Sequence, residues 1–275
     1  MDVTETDMLE YFAEEEDVKV IAMYVEGIQD GPRFMRVARE VSMKKPIVFL
    51  KAGKNDAGAK AVSSHTGSLA GSYAAYKSAL KQAGVIEVST INELFNLAWA
   101  LGSQPLPKGK RVAITTNAGV AAALAADSLD FNDFQLAKIS PEIQARLREK
   151  LNPSAQVSNP VDMLGSVSPE DYLWSLGNLD QDEGVDVLLP ILVPQALVDT
   201  VGVAKAWVEM SSQTEKTLLT CLMGERSTAE SEQILNLNNV PVYPFPDQAG
   251  PVLKGMWEYR QRLERRPYEE VSLST

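Results

Sequence analysis

One stretch of this chain concentrates the residue types that can carry group-transfer chemistry: Lys51-Ala-Gly-Lys-Asn-Asp-Ala-Gly-Ala-Lys-Ala-Val-Ser-Ser-His65-Thr-Gly-Ser-Leu-Ala-Gly-Ser72. Glycines at 53, 58, 67 and 71 let a backbone turn its N–H groups toward an anion, and a helix N-terminus following such a loop adds partial positive charge. Ser64, Thr66, Gly67 and Ser68 are therefore candidate phosphate-binding residues, with Lys51, Lys54 and Lys60 adding mobile positive charge. The alternative is a solvated strand-to-helix loop with ordinary serines. His65 is the only histidine of the chain. Set among small polar neighbours, its neutral imidazole is a competent nucleophile toward phosphoryl or acyl groups near neutral pH. A carboxylate on one ring nitrogen would make the other nucleophilic, and Glu26, after the apolar run Val20–Val25, is the candidate. A solvated carboxylate at a strand end is the alternative reading of Glu26. A serine-hydrolase triad is disfavoured, because the adjacent serines are badly spaced to use His65 as their base.

These residues need a scaffold, and the hydropathy pattern supplies one. Eight short β-branched apolar runs (18–24, 46–50, 85–88, 111–115, 134–137, 185–192, 217–222 and 241–243) alternate with segments of helical period. The helices are predicted from Gly31-Pro32 and over 72–82, 91–101, 120–129, 141–150, 169–179, 198–211, 228–238 and 247–262. Alternation of this kind predicts an α/β fold with parallel sheets, here two flavodoxin-like domains. The Pro/Gly-rich segment Gly102–Gly109 places the boundary near 104, giving 1–104 and 105–275. Only three runs precede it, so the first sheet is expected to be truncated, its exposed edge favouring a homodimer or an obligate partner. The residues Glu264–Thr275 read as a frayed tail. Glu26 and His65 follow neighbouring strands at the carboxyl edge, where ligands bind in such sheets. The turn Thr116-Asn117-Ala118-Gly119 leads from a strand into an alanine-rich helix and is a second candidate anion cradle, while Asn159-Pro160-Val161-Asp162 reads as a turn near the same edge.

Composition closes off several function classes. With 26 Lys+Arg against 37 Asp+Glu the net charge is −11, the wrong sign for a phosphate backbone, so no nucleic-acid partner is expected. No apolar stretch approaches the roughly 18 residues of a membrane span, and one cysteine forms no internal disulfide, so a cytoplasmic protein is expected. One histidine and one cysteine cannot assemble the usual zinc sets, and no metal site is assigned.

Taken together, Tyr-Val-Glu-Gly-Ile at 24–28, Phe-Leu-Lys-Ala-Gly at 49–53, Ser-Ser-His-Thr-Gly-Ser-Leu-Ala-Gly-Ser at 63–72, Thr-Asn-Ala-Gly at 116–119 and Asn-Pro-Val-Asp at 159–162 resemble the ADP-forming acyl-CoA synthetases of acetate–CoA ligase type, relatives of succinyl-CoA synthetase. The resemblance implies reversible interconversion of acyl-CoA, ADP and phosphate with free acid, CoA and ATP, through an acyl phosphate and a phosphohistidine. It places the phosphohistidine at His65 on a swinging loop, Glu26 as the carboxylate that orients it, and Thr116, Asn117, Ala118 and Gly119 at one phosphate-holding helix end. It further implies partners: a CoA-binding Rossmann domain, an ATP-grasp domain or subunit for ATP/ADP and Mg²⁺, and a small carboxylic acid as substrate. None of these ligands is assigned to this chain alone. The sequence departs from the family by continuing Asn-Ala-Gly with Val120-Ala121 where a glycine and a proline are common. The rival reading is a non-catalytic regulatory or subunit-interaction module, as in the synthetase-like part of protein lysine acetyltransferases; those often lose the histidine that is retained here.

Overall fold

The computed structural model describes residues 3–55, 57–58, 60 and 73–264. It separates into two compact units, residues 1–90 with 257–275 and residues 91–256. The Pro/Gly-rich segment 102–109 lies within the second of these. Each unit is an α/β body around a parallel sheet, the class expected from the alternating pattern.

In the first unit, β1 (Ile21–Val25), β2 (Ile47–Lys51) and β3 (Ile86–Val88) pair in parallel in that order. The register sets Ile21 against Ile47 and Val48 against Ile86. Every residue of β2 is buried, as a central strand covered on both faces requires. Helices α2 (Gly31–Val41) and α3 (Tyr73–Ala83) connect the strands. Asp30 caps α2 by accepting from the Arg33 N–H at 2.9 Å, with proline in the first turn. Phe34, Val37 and Val41 pack with Ile47, Phe49 and Leu80 into one core. The helix α1 (Glu5–Glu14) is absent from the sequence expectation. Its signal is local: Thr4 and Asp7 form a capping box, the Asp7 N–H donating to Thr4 Oγ1 and the Thr4 N–H to Asp7 Oδ2. The tail beyond Glu264 lies outside the described residues.

In the second unit the strands are β4 (Arg111–Thr116), β5 (Gln135–Leu136), β6 (Val161–Asp162), β7 (Val187–Leu192), β8 (Thr217–Leu218), β9 (Thr220–Leu222) and β10 (Val242–Tyr243). The sheet runs β5-β4-β7-β9-β10, with β6 also on β4 and β8 also on β7. Helices α4 (Ile91–Ser103), α5 (Gly119–Phe131), α6 (Pro141–Lys150), α7 (Pro169–Asp180), α8 (Thr200–Gln213) and α9 (Ala229–Leu237) accompany it, and a closing helix α10 (Ala249–Glu264) begins in this unit, its residues from Trp257 on belonging to the first. Counted as positions, the order is 2-1-3-4-5, the flavodoxin-like winding, whose reversal lies between β4 and β7. Tyr172 and Trp207, both fully buried and edge to face at 5.5 Å, centre the core, and the Tyr172 hydroxyl donates to the Ile191 carbonyl at 2.6 Å.

One polar side chain repairs a gap in this sheet. On one side β4 pairs with β5 at Arg111 and Val112, then with β6 at Thr115 and Thr116, leaving Ile114 without a strand partner on that side. Asn159 fills the rung. It accepts from the Ile114 N–H at 3.0 Å and donates to the carbonyls of Val112 and Ala137 at 2.7 and 3.0 Å. Asn159, expected in a turn, is thus part of the ladder that delivers β4 to its carboxyl end.

Candidate active site

The carboxyl edge of the first sheet collects Glu26 from the end of β1, Lys51 and Lys54 from the end of β2, and Val88 from the end of β3. Glu26 is exposed, one residue past the strand. Among the described residues nothing lies within 4 Å of where a Cβ on the neighbouring Gly27 would stand. Beneath them Lys51 is buried, and its Nζ donates to the Glu26 carbonyl at 2.6 Å and to the Ala52 carbonyl. The Tyr76 ring lies 5.2 Å from the same ammonium, and the Tyr76 hydroxyl accepts from the Ile28 N–H at 3.1 Å. Burial pushes the Lys51 ammonium below the ordinary lysine range; the Glu26 carboxylate opposes that shift and Lys54 reinforces it.

Lys54 is held differently. Its Nζ donates to the Val88 carbonyl at 2.8 Å, pairs with Glu87 at 3.0 Å and sits 5.6 Å from the Tyr73 ring. The Tyr73 hydroxyl donates to the same Glu87 carboxylate at 2.7 Å, and burial with that partner pushes it up to about 12. The expectation that Lys51 and Lys54 add mobile charge is therefore corrected: Lys51 is anchored by the Glu26 carbonyl just past β1 and by Tyr76 of α3, and Lys54 by β3 and Tyr73 of α3. Gly53 between them has φ +73°, a left-handed turn that glycine supplies without strain. Ser64, His65, Thr66, Gly67 and Ser68 lie outside the described residues.

In the second unit Thr116, Asn117, Ala118 and Gly119 leave β4 at the reversal of strand order, the crevice position of a doubly wound sheet. Asn117 is buried and spans the crevice floor: its Nδ2 donates to the Val193 carbonyl at 2.8 Å and its Oδ1 accepts from the Val193 N–H at 2.9 Å. Its amide is thus used to hold β4 against the end of β7. Thr116 Oγ1 accepts from the Ala118 N–H at 3.0 Å and tightens the turn. The helix α5 begins at Gly119 with no side chain capping it, so its first N–H groups retain their capacity to meet an anion. Asp162 Oδ2 would lie 3.2 Å from a Cβ at Gly119, which puts a carboxylate at this positive helix end. In the sequence Asp162 is legible only as a turn residue; its pairing with Thr116 across β6 is what brings it here.

The parallel sheets and their strand order define two α/β units of the flavodoxin-like class. Residues 1–101 match the succinyl-CoA ligase-like flavodoxin domain. The chain is 41% identical over 271 residues to the ADP-forming acetate–CoA ligase I of Archaeoglobus fulgidus, covering 98% of this chain and 38% of that protein. It is 41% identical over 252 residues to the alpha subunit of the ADP-forming acetate–CoA ligase II of Pyrococcus furiosus, covering 90% and 54% respectively. Among solved structures, an acetyl-coenzyme A synthetase of Ca. Korarchaeum cryptofilum in complex with phosphate and ADP superposes with a TM-score of 0.88 at 30% identity, over 95% of this chain and 57% of that one. The chain is a homologue of the ADP-forming acetate–CoA ligases and spans roughly two fifths to three fifths of the length of these relatives.

Proposed function

We propose that the chain is the phosphohistidine-bearing part of an ADP-forming acid–CoA ligase. Phosphate attacks the acyl-CoA carbonyl and expels CoA as its thiol, giving an acyl phosphate. The imidazole of His65 then attacks phosphorus and releases the free carboxylic acid, and ADP takes the phosphoryl group to give ATP. Glu26 orients the imidazole by accepting from its other ring nitrogen, while Ser64, Thr66, Gly67 and Ser68 surround the transferred group. The first N–H groups of α5, from Gly119 on, hold phosphate, with Thr116, Asn117 and Ala118 shaping and fixing the turn that presents them. The substrate is a small carboxylic acid, and the CoA- and nucleotide-binding parts are contributed by further domains or by a partner subunit.

The observation that carries this reading is the identity of 41% over 98% of the chain with an ADP-forming acetate–CoA ligase, on a structure that sets Glu26 directly past a parallel strand. The test is peptide mapping of the complete protein after incubation with ATP and Mg²⁺, wild type against His65→Ala. An acid-labile phosphoryl group on His65, lost in the variant together with turnover, is expected. Full turnover by the alanine variant would overturn the mechanism and leave a non-catalytic subunit-interaction module.

A further inference from the structure

The segment Glu26-Gly27-Ile28 is exposed at one side chain yet held at both ends of its backbone. Lys51 Nζ, buried under it, donates to the Glu26 carbonyl at 2.6 Å and also to the carbonyl of Ala52, its own neighbour just past the end of β2. Two residues on, the Ile28 N–H donates to Tyr76 Oη at 3.1 Å. The two anchors also touch each other, since the Tyr76 ring lies 5.2 Å from the Lys51 ammonium. Among the described residues nothing lies within 4 Å of where a side chain on Gly27, between the two anchors, would be.

Placing a cation here is costly. Lys51 is 7% exposed and forms no ion pair among the described residues, in contrast to nearby Lys54, which pairs with Glu87. An ammonium withdrawn from water needs hydrogen-bond acceptors to offset its desolvation. A methionine or leucine would fill the same apolar stem position without that cost. The cation's distinctive contribution is its grip on two carbonyls at the carboxyl ends of β1 and β2.

We infer that Lys51 and Tyr76 are positioning residues that clamp Glu26 in the orientation needed to direct the imidazole in the phosphoryl-transfer reaction. The inference rests on the ligase reading above. Lys51 works through the Glu26 carbonyl and through its own charge near the Glu26 carboxylate; Tyr76 works through the Ile28 N–H and by covering the ammonium. Neither needs to touch substrate. Because a misplacement of about 1 Å in a catalytic group can cost as much as a hundredfold in rate, releasing one anchor is expected to lower phosphorylation of His65 by about tenfold for Lys51→Met and several-fold for Tyr76→Phe.

The decisive experiment is a double-mutant cycle in the complete protein, reading the rate of phosphoryl incorporation into His65 from ATP alongside the thermal midpoint. Lys51→Met and Tyr76→Phe should slow incorporation in the wild-type background. In the Glu26→Gln background they should add nothing, because the residue they position has already lost its charge. Lys51→Arg, which keeps donors to both carbonyls, should recover part of the rate; a purely structural lysine would show recovery of the midpoint without this dependence on Glu26. Tyr76→Phe retains the ring and so serves if Lys51→Met fails to fold. Phosphorylated wild type with losses that multiply in the Glu26→Gln background would overturn the clamp alone. A wild-type protein that turns over with no phosphoryl group on His65 would overturn the ligase reading and the clamp with it.

Discussion

Replacing Asn159 with alanine tests whether one side chain completes the sheet that presents the Thr116–Gly119 turn. The substitution removes three hydrogen bonds: one accepted from the Ile114 N–H and two donated to Val112 and Ala137. The Val112 carbonyl keeps a second partner, the Ala137 N–H at 2.8 Å, so its loss is the ordinary net value of about 1 kcal/mol. The Ala137 bond is worth a similar ~1 kcal/mol. Ile114 is fully buried, and its N–H would be left unpaired at a cost of about 1–3 kcal/mol. Together these amount to roughly 3–5 kcal/mol, a large share of the 5–15 kcal/mol of a typical domain. Urea unfolding followed by tryptophan fluorescence should show the midpoint falling at unchanged slope. Asn159→Asp should retain the Ile114 acceptor but set an acceptor oxygen against the Val112 and Ala137 carbonyls, and so should be no less destabilising than alanine. A loss below about 1 kcal/mol for the alanine variant, at unchanged slope, would refute the view that Asn159 serves as the missing rung.

Cys221 is buried and its thiol is pushed up to about 12 by burial, with Asp247 adding to the shift; it should resist alkylation at pH 8 in the native protein and react at the rate of unfolding, so fast labelling without denaturant would contradict the structure. Asp7 is lowered to about 2 by its hydrogen bonds from Thr4, then by Arg33. Its folded-state value lies below the unfolded one, so the stability it contributes is present above about pH 4 and is lost as the pH falls through about 2. A carboxyl titration by NMR should find that midpoint and see it rise in Thr4→Ala. Gly84→Ala should destabilise the first unit by more than the ~1 kcal/mol of an ordinary surface change, because Gly84 sits at φ +77° and its Cβ would approach Arg262 Nε to 2.3 Å and Ser42 Oγ to 2.8 Å; a neutral result in thermal melts would show that Arg262 moves aside and that the turn tolerates the side chain.

Elements whose cause is local are legible in the order of residues alone. Proline at the first turn and a serine before it mark both the helix Pro141–Lys150 and the helix starting at Pro169, and the observed starts coincide with the expected ones. The fully apolar run at 187–192 reads as a central strand because both faces of a parallel sheet are covered. Strand β6 escapes such a reading since two residues carry no period, and the break at Leu219 between β8 and β9 leaves no mark in an unbroken apolar run.

The sequence by itself determined the α/β alternation, the acidic charge, and the presence of one histidine in a glycine-serine loop with a carboxylate after the preceding strand's apolar run. These are properties of residue type and short-range period, and a chain expresses them without knowing its neighbours. Tertiary structure alone decided that Lys51 is buried and grips the Glu26 carbonyl 25 positions away, that Asn159 completes β4 from 45 residues on, and that Asp162 reaches the start of α5. A polar side chain's role is set by which backbone groups lack a partner where it lands, and that vacancy exists only after the strands have chosen their order.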